Sequence, residues 1–263
     1  HTDAHFGPYG NRRGYFMSEQ IEGRNAVLEA FRSGKCVDKL FILDGCQDGP
    51  VRTIAREARK TDTIINYVSK ERLDQLSETR AHQGVIAQVA AYEYSTVEEI
   101  LARAEEKGEP PFLILLDNVE DPHNLGAIIR TANLAGAHGV IIPKRRAVGL
   151  TSTVAKTSAG AINYTPVAKV TNIVRTIEEL KEKGIWFVCA DMGGETMYDL
   201  DLTGPMGLVI GNEGEGVSRL VREACDFTAS IPMKGDIDSL NASVAAGVLA
   251  YEIVRQRLVK SRK

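Results

Sequence analysis

The chain has 263 residues, 43% hydrophobic and 25% charged, a composition that suits a folded protein of one or two domains. Its net charge of −3 excludes the strongly basic balance of many nucleic-acid-binding domains, so any affinity for nucleic acid must come from local patches. No apolar run approaches the roughly 20 residues that span a bilayer, and four scattered cysteines favour a reducing, cytoplasmic setting over a zinc site or a disulfide framework.

The N-terminal part of the chain divides into a tail and a small domain. Residues 1–17 are glycine-rich and polar, without the apolar region of a signal peptide, and predict a disordered tail in which Met17 is a possible natural start. Between residues 18 and 93, short helical and extended patterns alternate. These predict a compact α/β domain with helices at 26–31, 51–60 and 70–76, and strands at 39–43, 64–68 and 84–90.

A linker is expected at residues 94–111. It contains a helical pattern that Ser95 or Thr96 can cap, with glutamates in the first turn. Pro110 and Pro111 then exclude a helix and stiffen the chain, which is typical of a domain boundary. The second domain is therefore expected to run from residue 112 to 263.

The second domain opens with a continuous apolar run at 112–116, which is typical of a strand buried on both faces of a parallel sheet. Further strands are expected at 139–143, 186–190, 207–210 and 229–233. Helices are expected at 125–135, 154–159, 173–183 and 242–259. This alternation predicts an α/β fold with a mostly parallel sheet, whose ligand sites lie at the carboxyl ends of the strands.

Two polar residues follow the first strand of this domain. Asn124 lies near the start of a predicted helix, where capping explains it as well as a functional role does. Arg130 lies nearly two turns further along, among small and apolar residues. A guanidinium in such surroundings indicates an anionic partner such as a phosphate or a carboxylate, and an arginine reaching past the sheet to solvent is the alternative.

The glycine-rich turn at 211–216 contains Glu213 and follows a predicted strand. The turn is neither a GxGxxG fingerprint nor a P-loop, which excludes the usual nucleotide-binding motifs. Ser239, Asn241 and Ser243 precede or enter the last helix, and three small polar groups at alternate positions exceed what one cap needs. No histidine completes a Ser–His–Asp set.

Three segments carry a resemblance to a known family: NLGAIIRTA at 124–132, VIGNEGEGV at 209–217, and IPM at 231–233 with SLNASVA at 239–245. Together they resemble the three motifs of the SpoU (TrmH) family of RNA ribose 2′-O-methyltransferases, within the SPOUT superfamily. The N-terminal domain is similar to the small RNA-binding domain of the bacterial 23S rRNA guanosine 2′-O-methyltransferases in two segments, IEGRNAVLEA at 21–30 and HQGV at 82–85.

The resemblance implies a deep trefoil knot in the second domain, a rare exception to unknotted topology, in which the segment after Ile231 passes under an earlier loop. It implies S-adenosyl-L-methionine as the cofactor, bound there in a bent form. It also implies a homodimer with the active site near the interface and the last helix as a candidate interface element; no metal or membrane partner is expected. The expected cofactor-binding residues are Gly211, Ile231 and Leu240, with Ile210 and Met233.

The resemblance also implies roles in catalysis. Arg130 would activate the ribose 2′-hydroxyl; because arginine is a poor general base, we expect it to clamp a phosphate and orient the hydroxyl, and the base remains open. We expect Asn124, Glu213, Ser239 and Asn241 to position Arg130, the ribose and the methionine end of the cofactor, with Glu213, Ser239 and Asn241 facing Arg130.

The implied substrate is RNA, with Arg24, Asn25 and Arg130 as expected RNA-binding residues. Basic runs at 144–146 and 255–263 are further candidates for phosphate contacts. A guanosine of 23S rRNA is the first expectation. The alternatives are the same chemistry on tRNA or at the thiostrepton-resistance site of rRNA, and an RNA-binding protein that has lost catalysis. A nicotinamide- or ATP-dependent enzyme lacks its fingerprint in this chain.

Overall fold

The computed structural model describes residues 19–262 of the chain. The tail expected at 1–17 and the possible start at Met17 lie outside these residues. Within them the chain forms two α/β units, each with its own sheet and core. A helix, α4 (Val97–Glu106), lies between the two units in sequence, and Thr96 Oγ1 caps it by accepting a hydrogen bond from Glu99 N at 3.1 Å.

The N-terminal unit is a four-stranded sheet in the order β1-β4-β2-β3. Its strands are β1 (Glu19–Glu22), β2 (Val37–Leu43), β3 (Ile65–Val68) and β4 (Val85–Val89). Its helices are α1 (Arg24–Arg32), α2 (Gly49–Lys60) and α3 (Lys70–Leu76). Strands β2 and β3 are parallel and are connected through α2, whereas β4 runs antiparallel to β1 and β2.

The C-terminal unit is a six-stranded sheet in the order β10-β8-β9-β5-β6-β7, and every strand pair in it is parallel. Its strands are β5 (Phe112–Leu116), β6 (Gly139–Pro143), β7 (Val167–Val170), β8 (Trp186–Thr196), β9 (Met206–Ile210) and β10 (Phe227–Ser230). Its helices are α5 (Pro122–Leu134), α6 (Ser152–Thr157), α7 (Ile173–Glu182), α8 (Arg219–Ala224) and α9 (Ala242–Ser261).

Helices cover both faces of this sheet, which explains why β5 is apolar at every position. Ile114 and Leu116 pack into one core cluster together with residues of α5 and α9. Leu113 and Leu115 point the opposite way, into a second cluster with residues of α4, α7 and α8. The alternation follows from the two-residue period of a strand.

Four strands differ from the sequence pattern, and one of them, β8, runs on to Thr196 where a strand at 186–190 is expected. Neither β1 nor β7 is predicted, because EQIE and VAKV are short and partly polar and become strands only by pairing with β4 and β6. The strand expected at 229–233 lies instead at Phe227–Ser230. Pro232, which has no N–H to donate, is the second residue after its end, so Ile231 and Met233 lie in the loop beyond the sheet.

The two units are joined by a polar junction. Asp38 on β2 accepts hydrogen bonds from Tyr94 Oη at 2.7 Å and from Lys169 Nζ at 2.9 Å. Lys144, directly after β6, forms a 2.7 Å ion pair with Asp62 of the N-terminal unit. The carboxyl ends of β6 and β7 therefore lie against the N-terminal unit.

No helix among residues 19–262 is both long enough and apolar enough to cross a membrane.

Candidate functional site

A cavity of about 300 Å³ lies at the carboxyl ends of β9 and β10 and beside residues 190–192 of β8, just beyond the part of β8 that pairs with β9. This is the edge at which open parallel sheets bind ligands, because the loops that follow the strands converge there. Four segments line it: residues 190–192 within β8, 210–216 at and after the end of β9, 229–233 at and after the end of β10, and 238–245 around the start of α9.

Gly211 lies where β9 leaves the sheet, and its lack of a side chain is required there. A Cβ at this position would overlap the backbone of Gly216 and Val217, on the opposite side of the turn. The turn closes on itself through the Gly216 N–H, which donates to the Asn212 carbonyl at 2.8 Å. A tight loop with bare backbone at one wall of the cavity follows from this closure.

Side chains also hold the turn in place. Asn212 Oδ1 accepts a hydrogen bond from Gly214 N at 2.8 Å, and Asn212 Nδ2 donates to the Asn118 carbonyl at 3.2 Å. Asp117, buried at the end of β5, accepts from Ser218 N at 2.7 Å. The glycine-rich turn is thus bound at both ends to the loop that follows β5.

Asn124, Glu213 and Asn241 form an amide–carboxylate cluster, the feature on which the site is centred. Glu213 Oε1 accepts hydrogen bonds from Asn124 Nδ2 at 2.9 Å, from Asn241 Nδ2 and from Ala242 N at 3.3 Å. Asn241 Nδ2 also donates to Asn124 Oδ1 at 3.1 Å. The cluster therefore joins the start of α5, the glycine-rich turn and the start of α9.

Asn241 also caps the start of α9. Its Oδ1 accepts hydrogen bonds from Ser243 N at 2.9 Å and Val244 N at 3.3 Å, which makes it the N-cap of that helix. Asn124, by contrast, is not a cap. α5 begins at Pro122, and Asp121 caps it by accepting from His123 N at 2.8 Å. The buried Asn124 side chain is therefore available to the cluster.

Arg130 lies on a different face of α5 from Asn124. Six residues along an α-helix correspond to a rotation that leaves Arg130 about 120° away from Asn124 around the axis of α5. Its guanidinium is exposed, makes no hydrogen bond or ion pair with residues 19–262, and is not among the residues that line the cavity.

The residues expected to hold a cofactor all line the cavity: Ile210, Gly211, Ile231, Met233 and Leu240. Ser239 lines it as well. Ile210 is buried, whereas Met233 is 40% exposed at the mouth. The structure thus brings these positions together from three chain segments.

Sequence reasoning misses three charged residues of the lining, Asp191, Arg222 and Asp238. Arg222 Nε lies 3.1 Å from Asp191 Oδ2. Asp191 directly follows a predicted strand, so the carboxyl-edge rule alone identifies it as a candidate. No local pattern indicates Arg222, because its partner is 31 residues earlier in the chain.

The expected RNA contacts differ in how accessible they are. Asn25 is exposed, but the Arg24 guanidinium is bound to Asp48 at 2.5 Å and to the Gln83 carbonyl at 3.1 Å. In the basic runs, Lys144 is paired with Asp62, and Arg257 donates to the carbonyls of Pro110, Pro111 and Gly204. Several of the cations expected to contact phosphate therefore hold the fold together.

The part of the chain that the structure describes contains no cluster of three or more His, Cys, Asp or Glu side chains arranged as metal ligands.

Two family models match the chain. Residues 111–251 match that of the SpoU rRNA Methylase family, and residues 20–95 match "RNA 2′-O ribose methyltransferase substrate binding". The chain is 51% identical over 245 residues to YacO of Bacillus subtilis (strain 168), a protein assigned to the TrmH family of tRNA/rRNA methyltransferases. That alignment covers 92% of this chain and 98% of the relative.

Solved structures are similar along nearly the whole chain. The SpoU methyltransferase AviRb from Streptomyces viridochromogenes in complex with AdoMet is 28% identical, with a TM-score of 0.59, and the match covers 92% of this chain and 91% of that one. The AdoMet-bound rRNA methyltransferase from Sinorhizobium meliloti is 25% identical, with a TM-score of 0.56, and the match covers 90% of this chain and 87% of that one.

Proposed function

The chain belongs to the SpoU rRNA methylase family, and from that premise we propose that it methylates a ribose 2′-hydroxyl, that of a guanosine in 23S rRNA. As a member of this family it is an S-adenosylmethionine-dependent RNA methyltransferase. The observation that carries the finer proposal is the cluster of Asn124, Glu213 and Asn241, which brings residues from all three matching motifs to the edge of one cavity.

The cavity suits S-adenosylmethionine in shape and in charge. Gly211 lets the turn after β9 close at one wall of the cavity, and Ile210, Ile231 and Leu240 supply apolar walls for an adenine. Four carboxylates line it against one arginine: Asp191, Glu213, Glu215 and Asp238 against Arg222. An excess of negative charge favours a ligand whose sulfonium sulfur is positive.

When bound, S-adenosylmethionine supplies an electrophilic methyl group. The residues of this chain orient the acceptor. The hydrogen bonds to Glu213 converge on Oε1, and Oε2 makes none with residues 19–262, so Oε2 is available to accept one from the ribose hydroxyl. Ser239 lines the same cavity with its hydroxyl free to contact the ribose or the methionine end. Much of the rate then comes from alignment, because methyl transfer needs an in-line approach.

Arg130 enters this proposal as a phosphate clamp and hydroxyl orienter. Its exposed guanidinium is not occupied by any residue of the described chain, so it can bind a phosphate of the RNA without first breaking an ion pair.

A homodimer is supported by an apolar stripe on α9. Val244, Tyr251 and Leu258 are each about half exposed and are spaced seven residues apart, so they lie along one face of the helix. Leu134, at the end of α5, is 65% exposed. We propose that a second copy covers this stripe, and sedimentation equilibrium should then give twice the mass of the chain; a monomer at micromolar concentration contradicts it.

Ribosomal RNA is favoured as the substrate because two similar solved proteins are SpoU or rRNA methyltransferases and because the N-terminal unit matches a substrate-binding model. A relative is named for both tRNA and rRNA, so tRNA is the alternative substrate. The thiostrepton-resistance site of rRNA is another. A cytoplasmic location is part of the proposal, since both RNAs are found there. A trefoil knot after Ile231 belongs to it as well, supported by the likeness to SpoU structures.

The proposal is tested by mapping 2′-O-methyl groups by mass spectrometry in rRNA and tRNA from cells with and without this protein. We expect one 23S rRNA guanosine to lose its methyl group, and purified protein should restore it. In the same assay Arg130→Ala should lower methylation about 100-fold while cofactor affinity is kept, and Arg175→Ala on α7 is the control. A lost methyl group in tRNA, or none, contradicts the rRNA assignment; near-normal methylation by Arg130→Ala contradicts its role.

A further inference from the structure

The N-terminal unit contains a second large concavity, here called the α2 groove, with a volume of about 690 Å³. It lies at the carboxyl ends of the parallel strands β2 and β3, between the loop after β2, helix α2 and the side chain of Tyr67 on β3. No residue of the α2 groove belongs to the cofactor cavity. The groove is lined by Asp44, Gly45, Cys46, Gln47, Val51, Arg52, Ala55, Arg56, Arg59 and Tyr67.

Three arginines form a stripe along one wall of the α2 groove. Arg52, Arg56 and Arg59 follow each other at intervals of four and three residues, which places them on one face of α2 over roughly 10 Å. Arg52 Nε donates to the Gln47 carbonyl at 2.5 Å. Arg56 and Arg59 are exposed, and their guanidinium groups make no hydrogen bond or ion pair with residues 19–262.

The groove is more basic than its surroundings. Asp44 is the one acidic residue that lines it. Glu57 of α2 forms an ion pair with Lys60 at 2.9 Å. In a chain with a net charge of −3, a groove with three arginines against one aspartate is a local concentration of positive charge. Such a stripe is typical of a surface that binds a chain of phosphates.

Tyr67 adds an aromatic surface to this charge. Its side chain is 52% exposed although it lies on a strand, and it lines the groove opposite the arginines. An exposed ring beside arginines is the combination on which unpaired bases stack while their phosphates are neutralised.

The loop that forms the end of the groove is held in place by Arg24. The Arg24 guanidinium is bound to Asp48 at 2.5 Å, and Asp48 caps α2 by accepting from Val51 N at 3.1 Å. Arg24 therefore positions the groove and does not itself line it. The contacts to the catalytic unit lie at the other ends of β2 and β3, through Asp38 and Asp62.

We propose that the α2 groove binds an unpaired segment of the substrate RNA other than the methylated nucleotide, with Arg56 and Arg59 on phosphates and Tyr67 stacked on a base. The inference rests on the proposed RNA substrate and deepens it. Strand β2 separates the groove from the domain junction by roughly 20 Å, so the RNA that fills both units extends well beyond one nucleotide. The groove sets affinity for the RNA, and the cofactor cavity performs the chemistry.

The test compares two double variants that each remove two positive charges. R56Q/R59Q changes the groove, and R175Q/K183Q changes α7 and the residue directly after it on the other unit. The probe is a labelled single-stranded RNA of about 20 nucleotides, with a duplex of the same length. We expect R56Q/R59Q to weaken single-strand binding about tenfold and to reduce the slope of log affinity against log salt by about 1.4, whereas the control keeps both values.

Tyr67 gives a second, uncharged readout. Tyr67→Ala should weaken binding of the single strand roughly tenfold and leave the duplex unaffected, because paired bases cannot stack on the ring; Tyr67→Phe should bind like the native protein. Cofactor affinity, measured by calorimetry, should be unchanged in all these variants, and a far-UV circular dichroism spectrum and urea-unfolding curve like those of the native protein show that the N-terminal unit is folded. Groove variants that bind the single strand as tightly as R175Q/K183Q overturn the inference.

A methyl-transfer assay distinguishes failure of this inference from failure of the proposed function. If the native protein methylates rRNA and R56Q/R59Q has an unchanged KM for it, the groove assignment is wrong and the proposed function stands. If the native protein methylates neither rRNA nor tRNA but binding still depends on Arg56 and Arg59, the proposed function is wrong and the groove stands. The expected result is a raised KM with kcat kept.

Discussion

Glu213 shows how one side chain can organise a site. Donors from Asn124, Asn241 and the backbone of Ala242 all converge on its Oε1. The two asparagines are 117 residues apart in sequence, yet each also bonds the other. Convergent hydrogen bonds of this kind fix the carboxylate in one orientation, which is what positioning a weak nucleophile requires.

Glu213→Gln tests the charge of this group separately from its hydrogen bonds. The glutamine Oε1 can still accept the same donors, so the cluster and the cofactor affinity should be preserved. The negative charge and the second acceptor are lost, and kcat for RNA methylation should fall about 10- to 100-fold. Glu215→Gln is the matched control in the same turn, and we expect it to keep at least half the native kcat. Equal effects of the two substitutions contradict the role given to Glu213.

At the scale of elements, the polar junction determines how the N-terminal unit is placed against the sheet of the other. Tyr94 Oη donates to Asp38 and accepts from Leu150 N at 3.0 Å, while Lys169 Nζ lies 4.4 Å from the centre of the Tyr94 ring. Gly149 has no side chain, and a Cβ there would overlap the Asp38 carboxylate. Such a satisfied network specifies one docked arrangement, because every alternative leaves some of its groups unpaired.

Tyr94→Phe removes both hydrogen bonds while keeping the ring. Leu150 N then loses its acceptor, so the free energy of unfolding should fall by about 1–3 kcal/mol, measured with urea. Tyr164→Phe, which removes a hydroxyl from an exposed tyrosine, should change it by less than about 0.5 kcal/mol. Cofactor affinity should be kept in Tyr94→Phe, since the cavity is built by other elements. A Tyr94→Phe protein as stable as the control would show that the junction contributes little.

At the scale of the whole molecule, stability should depend on pH through a buried histidine. Burial lowers the pKa of His138 to about 4, although the Glu109 carboxylate, 3.8 Å from Nε2, raises it. His138 Nδ1 accepts a hydrogen bond from Phe112 N at 2.9 Å, and Nε2 has no hydrogen-bond partner among residues 19–262. The neutral ring therefore belongs to the folded state, whereas the unfolded chain takes up a proton near pH 6.5.

The sign of the effect follows from this difference. Between pH 6.5 and 4 the unfolded state binds more protons, so stability is full above pH 6.5 and decreases as the pH falls towards 4. The His138 contribution should amount to a loss of about 2 kcal/mol at about pH 5. Urea unfolding above pH 6.5 and at about pH 5 measures this loss. His138→Asn keeps an acceptor near Nδ1, and its free energy of unfolding should fall by about 2 kcal/mol less on acidification. If the free energy of unfolding falls equally in both proteins on acidification, His138 is not the cause.

Long, strongly patterned elements could be predicted from the sequence. β5 and β6 lie where their apolar runs indicate, and α3 and α7 begin where expected, because a continuous apolar run or a helical period is local information. The grouping of cavity residues at strand ends was also predictable, since parallel strands bring their carboxyl ends to one edge. β1 and β7 were not, because pairing and not composition makes them strands.

The sequence by itself determined which residues could form the site. Local motifs indicate the glycine-rich turn with Glu213, the cap at Asn241 and the candidate Asn124. Only the tertiary structure decided which side chains are free to act. It placed Arg130 on a different face of α5 from Asn124, bound Arg24 and Lys144 to carboxylates, and left Arg56 and Arg59 in a groove with no partner among residues 19–262. The reason is physical: local pattern fixes the direction of a side chain, but its partner depends on which distant segment the fold brings within about 3 Å.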